Sequence, residues 1–205
     1  MSDTDAEAHD TELHDAVLTE AGTRGPTMRI RDLVSIVERS HRDGPGAAAS
    51  LVERYIEAVG EAGPAEGDRL RAALSEQRTS AVSWVDPDAV YELGDDRVSA
   101  FPGRWHDRLG PDADLPAFVE TIRSDVDDTN EAFEVGGAGH GVPKSVLVEA
   151  VAVIAGGDPE ETEAALDGFR REGVFRVDAD QHPHARVRFT DDARPDSLDP
   201  EEPAE

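Results

Sequence analysis

The chain has no cysteine and a single lysine, Lys144, in 205 residues. The absence of cysteine excludes disulfides, thiolate metal ligands and cysteine nucleophiles. Aromatic residues make up only 5% of the chain. The longest apolar run, residues 146–155, contains Glu149 and is far shorter than the roughly 20 residues of a transmembrane helix. Because the N-terminus is acidic and has no apolar run, the sequence predicts a cytoplasmic protein without signal peptide or membrane anchor.

Acidic residues dominate the composition. The chain has 46 Asp and Glu against 20 Lys and Arg, a net charge of −26. Such a charge destabilises a compact protein through self-repulsion in dilute solution. Concentrated salt screens it, because the Debye length falls to about 3 Å at 1 M. The composition resembles that of cytoplasmic proteins of extremely halophilic archaea. On that basis the acidity is adaptive and does not by itself exclude nucleic acid, although phosphate contacts draw on Lys and Arg.

The distribution of charged and apolar residues indicates four segments and an α+β, mainly helical fold. Residues 1–27 and 191–205 are acidic and poor in large apolar residues, so they are predicted to be disordered tails. Residues 28–110 are predicted to form a helical domain with a β-hairpin. Gly110-Pro111-Asp112 marks the boundary to a second domain, residues 111–190.

Apolar periodicity predicts the elements of both domains. In the first, helices are expected at 29–41, 48–59 and 66–78, extended chain at 81–85, a hairpin at 90–93 and 97–101, and a short helix at 104–109. In the second, helices are expected from Leu115, from Val142 and at 158–172, a flexible connection at 127–141, and paired strands at 174–177 and 185–189. The clearest local signal is Asp158-Pro159-Glu160-Glu161, with Asp158 as N-cap and Glu161 completing a capping-box pattern.

Residues 115–190 resemble a winged-helix (helix-turn-helix) domain. The run 158–177 is similar to its third helix and second strand, and residues 178–184 would form its wing. The resemblance implies a partner-binding surface on the third helix and wing, but winged helices bind both DNA and proteins. Residues 28–101 have a similar order of helices and hairpin. For that segment a small helical domain with a hairpin is the simpler interpretation, and a tandem arrangement is the alternative.

Two functions follow from this resemblance. The first is DNA-associated regulation, with double-stranded DNA contacted through the wing. The second is a protein–protein interaction module that binds another protein or forms a homodimer without binding DNA. The outward face of the third helix carries Glu160, Glu163 and Asp167, which would repel phosphates. The predicted contact residues are therefore Arg171, Arg176, His182, His184, Arg186 and Arg188. Arg186 and Arg188 share a strand face, so they are not both expected in the core.

No catalytic, metal or cofactor site is predicted. His182 and His184 with Asp180 are interpreted as a polar hairpin tip rather than metal ligands. The glycine-rich run 136–141 fails as a phosphate-binding loop because Val142-Pro143 precede Lys144. His106 could act as a general base beside Trp105. It is instead interpreted as a surface histidine next to aromatic residues that anchor the hairpin.

Overall fold

The computed structural model describes residues 12–133, 141–178 and 185–190. In these ranges the protein is α+β and mainly helical, with two small sheets, so the predicted fold class is confirmed at this level. The helices are α1 (Asp15–Arg24), α2 (Ile30–Ser40), α3 (Ala49–Ala62), α4 (Pro64–Gln77), α5 (Gly103–Arg108), α6 (Leu115–Ser124), α7 (Thr129–Phe133), α8 (Lys144–Ala150) and α9 (Pro159–Arg171). The strands are β1 (Ala47–Ala48), β2 (Arg78–Thr79), β3 (Val90–Gly94), β4 (Arg97–Ser99), β5 (Val142–Pro143), β6 (Phe175–Asp178) and β7 (Arg186–Phe189). No helix in these ranges is long and apolar enough to cross a lipid bilayer.

The elements with the strongest local signals are confirmed. The β3–β4 hairpin turns through Asp95 and Asp96, which both have a positive φ, as a tight two-residue turn requires. Asp158 caps α9, because its Oδ1 accepts hydrogen bonds from the backbone N of Glu160 at 2.8 Å and of Glu161 at 3.1 Å. Helix α8 continues as a π-helical segment, Val151–Ala155, which ends at Gly156 in the left-handed conformation.

The two sheets are built in the same way. In the first, β1 pairs antiparallel with β4, and β4 pairs antiparallel with β3, while β2 adds a parallel pair beside β3. In the second, β5 pairs antiparallel with β7, and β7 with β6. Apart from β2 in the first unit and α7 in the second, both follow the order helix, short strand, helix, helix, hairpin. We call residues 30–99 the N-terminal unit and residues 115–189 the C-terminal unit.

Backbone hydrogen bonds coincide in the two units. Directly after β1, the Ala49 backbone N donates to the Asp96 carbonyl at 2.9 Å, and directly after β5, the Lys144 backbone N donates to the Ala185 carbonyl at 2.8 Å. Asp96 and Ala185 each precede the last strand of their unit. In both units, the first residue of the helix after the short strand is therefore held by an equivalent backbone hydrogen bond to the residue before the last strand.

A glycine precedes the short strand in each unit, and in both cases the backbone is too close for a side chain. Gly46 has φ +71°, and a Cβ there would lie 2.9 Å from the Val98 carbonyl oxygen. Gly141 has φ +153°, and a Cβ there would lie 2.8 Å from the Val187 carbonyl oxygen. Val98 and Val187 pair with the residues that follow these glycines. The close approach of the short strand to the hairpin thus requires glycine at both positions.

In each unit, an arginine at the start of the last strand hydrogen-bonds the backbone of the segment that precedes the short strand. Arg97 donates to the carbonyl of Gly46 and, through Nε, to the Pro45 carbonyl at 2.6 Å. Arg186 donates through Nη1 to the carbonyls of Gly141 and Thr129, both at 3.1 Å. The two guanidinium groups therefore serve the same structural purpose.

Three expectations about the chain path were wrong. Residues 15–24 of the predicted N-terminal tail form helix α1, because Val17 and Ala21, although small, pack into the core of the N-terminal unit. Part of the predicted flexible connection forms α7, with Thr129 and Phe133 buried. Residues 81–85 form a loop rather than a strand, and the extended pairing lies just before it, in β2.

One hydrophobic cluster crosses the predicted domain boundary at Gly110–Asp112. Trp105 stacks on Trp84 with ring centroids 5.4 Å apart, and both belong to the same cluster as Phe118 and Phe175 of the C-terminal unit. The aromatic residues before the boundary thus complete the core of the segment after it. Gly110 and Pro111 lie at a turn of the chain, but the hydrophobic core continues across this turn.

Candidate functional site

The outward face of α9 is exposed and acidic, as its sequence indicates. Glu160, Glu163 and Asp167 are all exposed. Lys144 donates to Glu163 at 2.7 Å, and Arg170 lies 4.0 Å from Asp167. Lys144 and Arg170 are therefore already paired with carboxylates of this face. Arg171, at the end of the helix, is exposed.

Two of the predicted wing arginines share one carboxylate. Arg176 Nε lies 3.4 Å from Asp178 Oδ1, and Arg188 Nη2 lies 3.1 Å from Asp178 Oδ2. The side chain of Arg176 is 68% exposed and that of Arg188 is 38% exposed. His182 and His184 fall outside the described residues.

The structure contradicts the expectation for Arg186. This residue is 2% exposed, and its guanidinium hydrogen-bonds backbone carbonyls in the interior of the C-terminal unit. Burial is also the main reason why its pKa is lowered. Arg188 lies on the same strand face but past the residues that pair with β5, so it stays partly accessible. Arg186 is a structural residue and cannot reach a partner.

A buried polar network that sequence reasoning missed lies between α2, β4 and α5. Glu38 Oε2 accepts hydrogen bonds from the Ser99 hydroxyl and from the Ala100 backbone N, each at 3.0 Å. Ser99 Oγ lies 2.8 Å from His106 Nε2 and accepts from the Phe101 backbone N at 3.0 Å. The expectation of a surface histidine was wrong, because the His106 side chain is only 7% exposed.

Burial shifts both titratable groups of this network toward their neutral forms. Desolvation raises the pKa of Glu38 to about 7, although its two hydrogen bonds and the charge of Arg31 oppose the shift. Desolvation lowers the pKa of His106 to about 4. The Ser99 hydroxyl has one proton to donate, so when Glu38 is ionised the hydroxyl donates to Glu38 and His106 Nε2–H donates to Ser99. The other ring nitrogen of His106, Nδ1, is then an acceptor.

Glu38 and His106 line a cleft of about 400 Å³ where the two units meet. The N-terminal unit contributes Arg42 and the loop 44–46, and the C-terminal unit contributes residues 153–155. Arg42 fixes this junction, because its guanidinium donates to the Ala152 carbonyl and to the Arg39 carbonyl. Most of the remaining wall is apolar: Pro45, Leu109, Pro111, Val153, Ile154 and Ala155.

Sequence periodicity contained a signal for this network. Arg31 lies one helical turn before Val34, and Glu38 lies one turn after it. Both charged residues are therefore on the buried face of α2. A carboxylate and a guanidinium on an apolar helix face predict buried polar contacts. Their partners, however, come from segments distant in sequence.

A second surface feature is the loop 80–89, which presents two valines to solvent. Val82 is 62% exposed and Val85 is 56% exposed, and among the described residues these are the large apolar side chains with strong exposure. Trp84 between them is buried. Its backbone N donates to Asp125 Oδ2 and its Nε1 to the Ala132 carbonyl, each at 2.7 Å. The valines therefore project from an anchored loop.

Two further hydrogen bonds hold the valines themselves. The Val85 backbone N donates to the Tyr91 hydroxyl at 3.0 Å, and the Arg104 backbone N donates to the Val82 carbonyl at 3.0 Å. The side chain of Asp125, which anchors the loop, is fully buried and also pairs with the Arg104 guanidinium at 3.1 Å. Hydrogen bonds thus hold the loop on both sides of Trp84.

Comparison with protein families, curated proteins and solved structures finds no match to this chain. Within the described ranges, no group of three or more potential metal-ligating side chains is close enough to hold an ion. The inference of function therefore depends on the surfaces and the cleft alone.

Proposed function

We propose that the protein is a tandem of two winged-helix units that acts as a protein–protein interaction module. The shared element order, the shared strand order and the matching Gly46–Arg97 and Gly141–Arg186 contacts support two units of one architecture. In this assignment α4 and α9 are the third helices, and the β3–β4 and β6–β7 hairpins carry the wings.

The observation that carries the interaction function is the state of the cations on the expected nucleic-acid surface. Arg176 and Arg188 both contact Asp178, Lys144 contacts Glu163, and Arg186 is buried. Phosphate binding would require breaking these pairs beside an acidic helix face. The first unit is no better suited to phosphate, because its wing tip is Gly94-Asp95-Asp96.

The contact surface in this proposal includes Val82 and Val85. An anchored loop with exposed apolar side chains loses little conformational entropy on binding. Asp86 and Asp88 follow the valines directly, and the whole chain is acidic. A partner with apolar side chains flanked by Lys or Arg complements this surface, because opposite charges steer association and fix orientation.

Capture from an extract of the source organism in multimolar KCl tests the proposal. Three tagged proteins are compared: the natural chain, the double variant Val82→Ser/Val85→Ser, and the control Ala164→Ser on the exposed face of α9. The natural chain and the control are expected to retain the same protein, and the double variant at least fivefold less. The protein captured must then re-form a complex when both are purified. Equal capture by all three would show that the valines are not the contact.

DNA-associated regulation is the second candidate. It is favoured by the exposure of Arg171 at the end of α9 and of Arg176 at the start of β6. Anisotropy of a labelled duplex, titrated in multimolar KCl and then at lower salt, tests it. If DNA binds, Arg171→Ala and Arg176→Ala should each lower the salt slope by about one. Replacing Glu160, Glu163 and Asp167 by neutral amides should strengthen binding. Duplex binding that responds in this way would favour regulation over the interaction module.

A further inference from the structure

The buried carboxyl of Glu38 has no cation in contact with it. Its hydrogen-bond donors, the Ser99 hydroxyl and the Ala100 backbone N, are neutral. His106 Nε2 lies 3.9 Å from Oε1, but the low pKa of His106 leaves the ring uncharged near neutral pH. In the part of the chain that the structure describes, no arginine or lysine lies within 4.0 Å of this carboxyl.

Arg31, whose charge acts on Glu38, and Arg42, which lines the cleft, are both engaged elsewhere. Arg31 Nη1 donates to Glu149 Oε2 at 3.0 Å, so its charge reaches the Glu38 carboxyl only through space. Arg42 donates to the carbonyls of Ala152 and Arg39. Arg31 thus pairs with another carboxylate and Arg42 with backbone carbonyls, and neither forms an ion pair with Glu38.

An ionised carboxylate that is buried without a cation is costly, because it has lost its hydration without gaining an opposite charge. Two processes relieve the cost: uptake of a proton, or binding of a cation that enters from solvent. Glu38 and His106 line the cleft with 3% and 7% of their side chains exposed, so a cation in the cleft meets the edge of this network. The apolar remainder of the wall suits a chain of methylene groups, as lysine and arginine stems commonly pack on apolar surface.

We propose that the cleft binds an ammonium or guanidinium group on an aliphatic stem, with Glu38 as its counter-ion. The occupant to which we assign it is a lysine or arginine side chain of a protein partner. That assignment of the source rests on the proposed function, whereas the site itself does not. A free alkylamine offers the same chemistry, so the test separates the two sources.

Binding of n-butylammonium to the full-length protein tests the site. The reporters are the ¹³C carboxyl signal of Glu38 and the ring signals of His106, recorded in multimolar KCl. A saturable shift is expected, with an affinity that falls roughly tenfold per pH unit below about 7, because protons compete for Glu38. The neutral analogue n-butanol should bind at least tenfold more weakly. Equal binding of n-butanol, or no saturable shift with n-butylammonium, would overturn the proposal.

Two variants locate the binding. Glu38→Gln should weaken binding of n-butylammonium at least tenfold, since the amide keeps the shape and removes the charge. Glu53→Gln, at an exposed carboxylate of α3, should leave binding unchanged. Unchanged binding in Glu38→Gln would contradict the assignment of the counter-ion. Circular dichroism of both variants establishes that each is folded.

The source is tested with Nα-acetyl-lysine methylamide, which carries the same ammonium on a peptide backbone. Binding at least as tight as that of n-butylammonium supports a protein side chain. Binding of n-butylammonium alone overturns the protein source while supporting the site. Neither probe requires a partner, so binding of the probes supports the site even if no partner protein is captured. Conversely, capture of a partner without binding of the probes would support the proposed function and overturn the site.

Discussion

Arg31 in α2 and Glu149 in α8 form a 3.0 Å ion pair that joins the two units across 118 residues of sequence. The arginine side chain is 5% exposed, its Nε donates to the Ala100 carbonyl at 3.2 Å, and its guanidinium lies 4.8 Å from the centre of the Phe101 ring. The guanidinium is therefore desolvated, and Glu149 is the anion that compensates for this.

Removal of that anion should destabilise the protein. Glu149→Gln is expected to lower the free energy of unfolding by about 2 kcal/mol, because it leaves a buried charge without its counter-ion. Denaturant titration at fixed KCl measures the change. The matched control is Glu163→Gln, which removes the exposed Lys144–Glu163 pair and should cost less than about 1 kcal/mol. Equal effects of the two variants would show that burial does not strengthen the pair between the units.

The Glu38–His106 network should produce two opposite pH dependences. The folded-state pKa of Glu38 is raised to about 7, so the stability it contributes is present below its ordinary pKa of 4.5 and is lost as pH rises to 7. The folded-state pKa of His106 is lowered to about 4, so its contribution is present above 6.5 and is lost as pH falls to 4. Between 4.5 and 6.5 the two slopes largely cancel.

Unfolding titrations of the natural chain and of Glu38→Gln across pH 4–8 separate these slopes. Between pH 4.5 and 7 the free energy of unfolding of the variant should rise by about 3 kcal/mol relative to that of the natural chain. The reason is that the natural chain loses the contribution of its neutral carboxyl over this range, whereas the amide does not titrate. His106→Gln should show the converse trend between pH 6.5 and 4. A difference between Glu38→Gln and the natural chain that does not vary with pH would contradict the burial of an ionisable carboxyl.

Local patterns in the sequence predicted the elements but not the contacts between them. The α9 cap and the β3–β4 turn depend on neighbouring residues, so a short window of sequence is sufficient to find them. The buried position of Glu38 follows from helix periodicity, but Ser99 and His106 reach it from β4 and α5, and no local pattern encodes that meeting. Alternation correctly placed Arg186 and Arg188 on one strand face. It could not show that the carbonyls of Thr129 and Gly141 cover only the first of them.

Arg186 and Arg188 should differ in what their removal affects. Arg186→Ala is expected to destabilise the protein by about 2–4 kcal/mol, since two buried carbonyls lose a charged donor and a cavity is left. Arg188→Ala removes a partly exposed pair with Asp178 and should cost no more than about 1 kcal/mol. Thermal unfolding of both variants under one salt condition measures this. A stable Arg186→Ala variant with impaired partner binding would restore the surface interpretation.

Helix α1 should be needed for stability, unlike the segment before it. Val17 and Ala21 are buried, and the His14 backbone N donates to the Tyr55 hydroxyl at 2.7 Å. Deletion of residues 1–11 should leave the unfolding free energy nearly unchanged, whereas deletion of residues 1–27 should lower it by about 2–4 kcal/mol, mainly through lost apolar burial. Equal stability of the two deletion variants would show that α1 does not contribute to the core.

The net charge of −26 makes salt the strongest predicted influence on stability. Many of the described arginines form ion pairs, such as that of Arg97 with Asp43 at 2.8 Å, yet the acidic residues exceed the basic ones by more than two to one. Lowering KCl from multimolar to dilute concentration unscreens the repulsion among the unpaired carboxylates. The melting temperature should therefore fall steeply on dilution, and the titration should be repeated with NaCl at equal ionic strength to separate screening from specific binding of K⁺. A melting temperature that stays constant or rises on dilution would contradict the resemblance to halophilic proteins and would require these carboxylates to be neutralised within the fold.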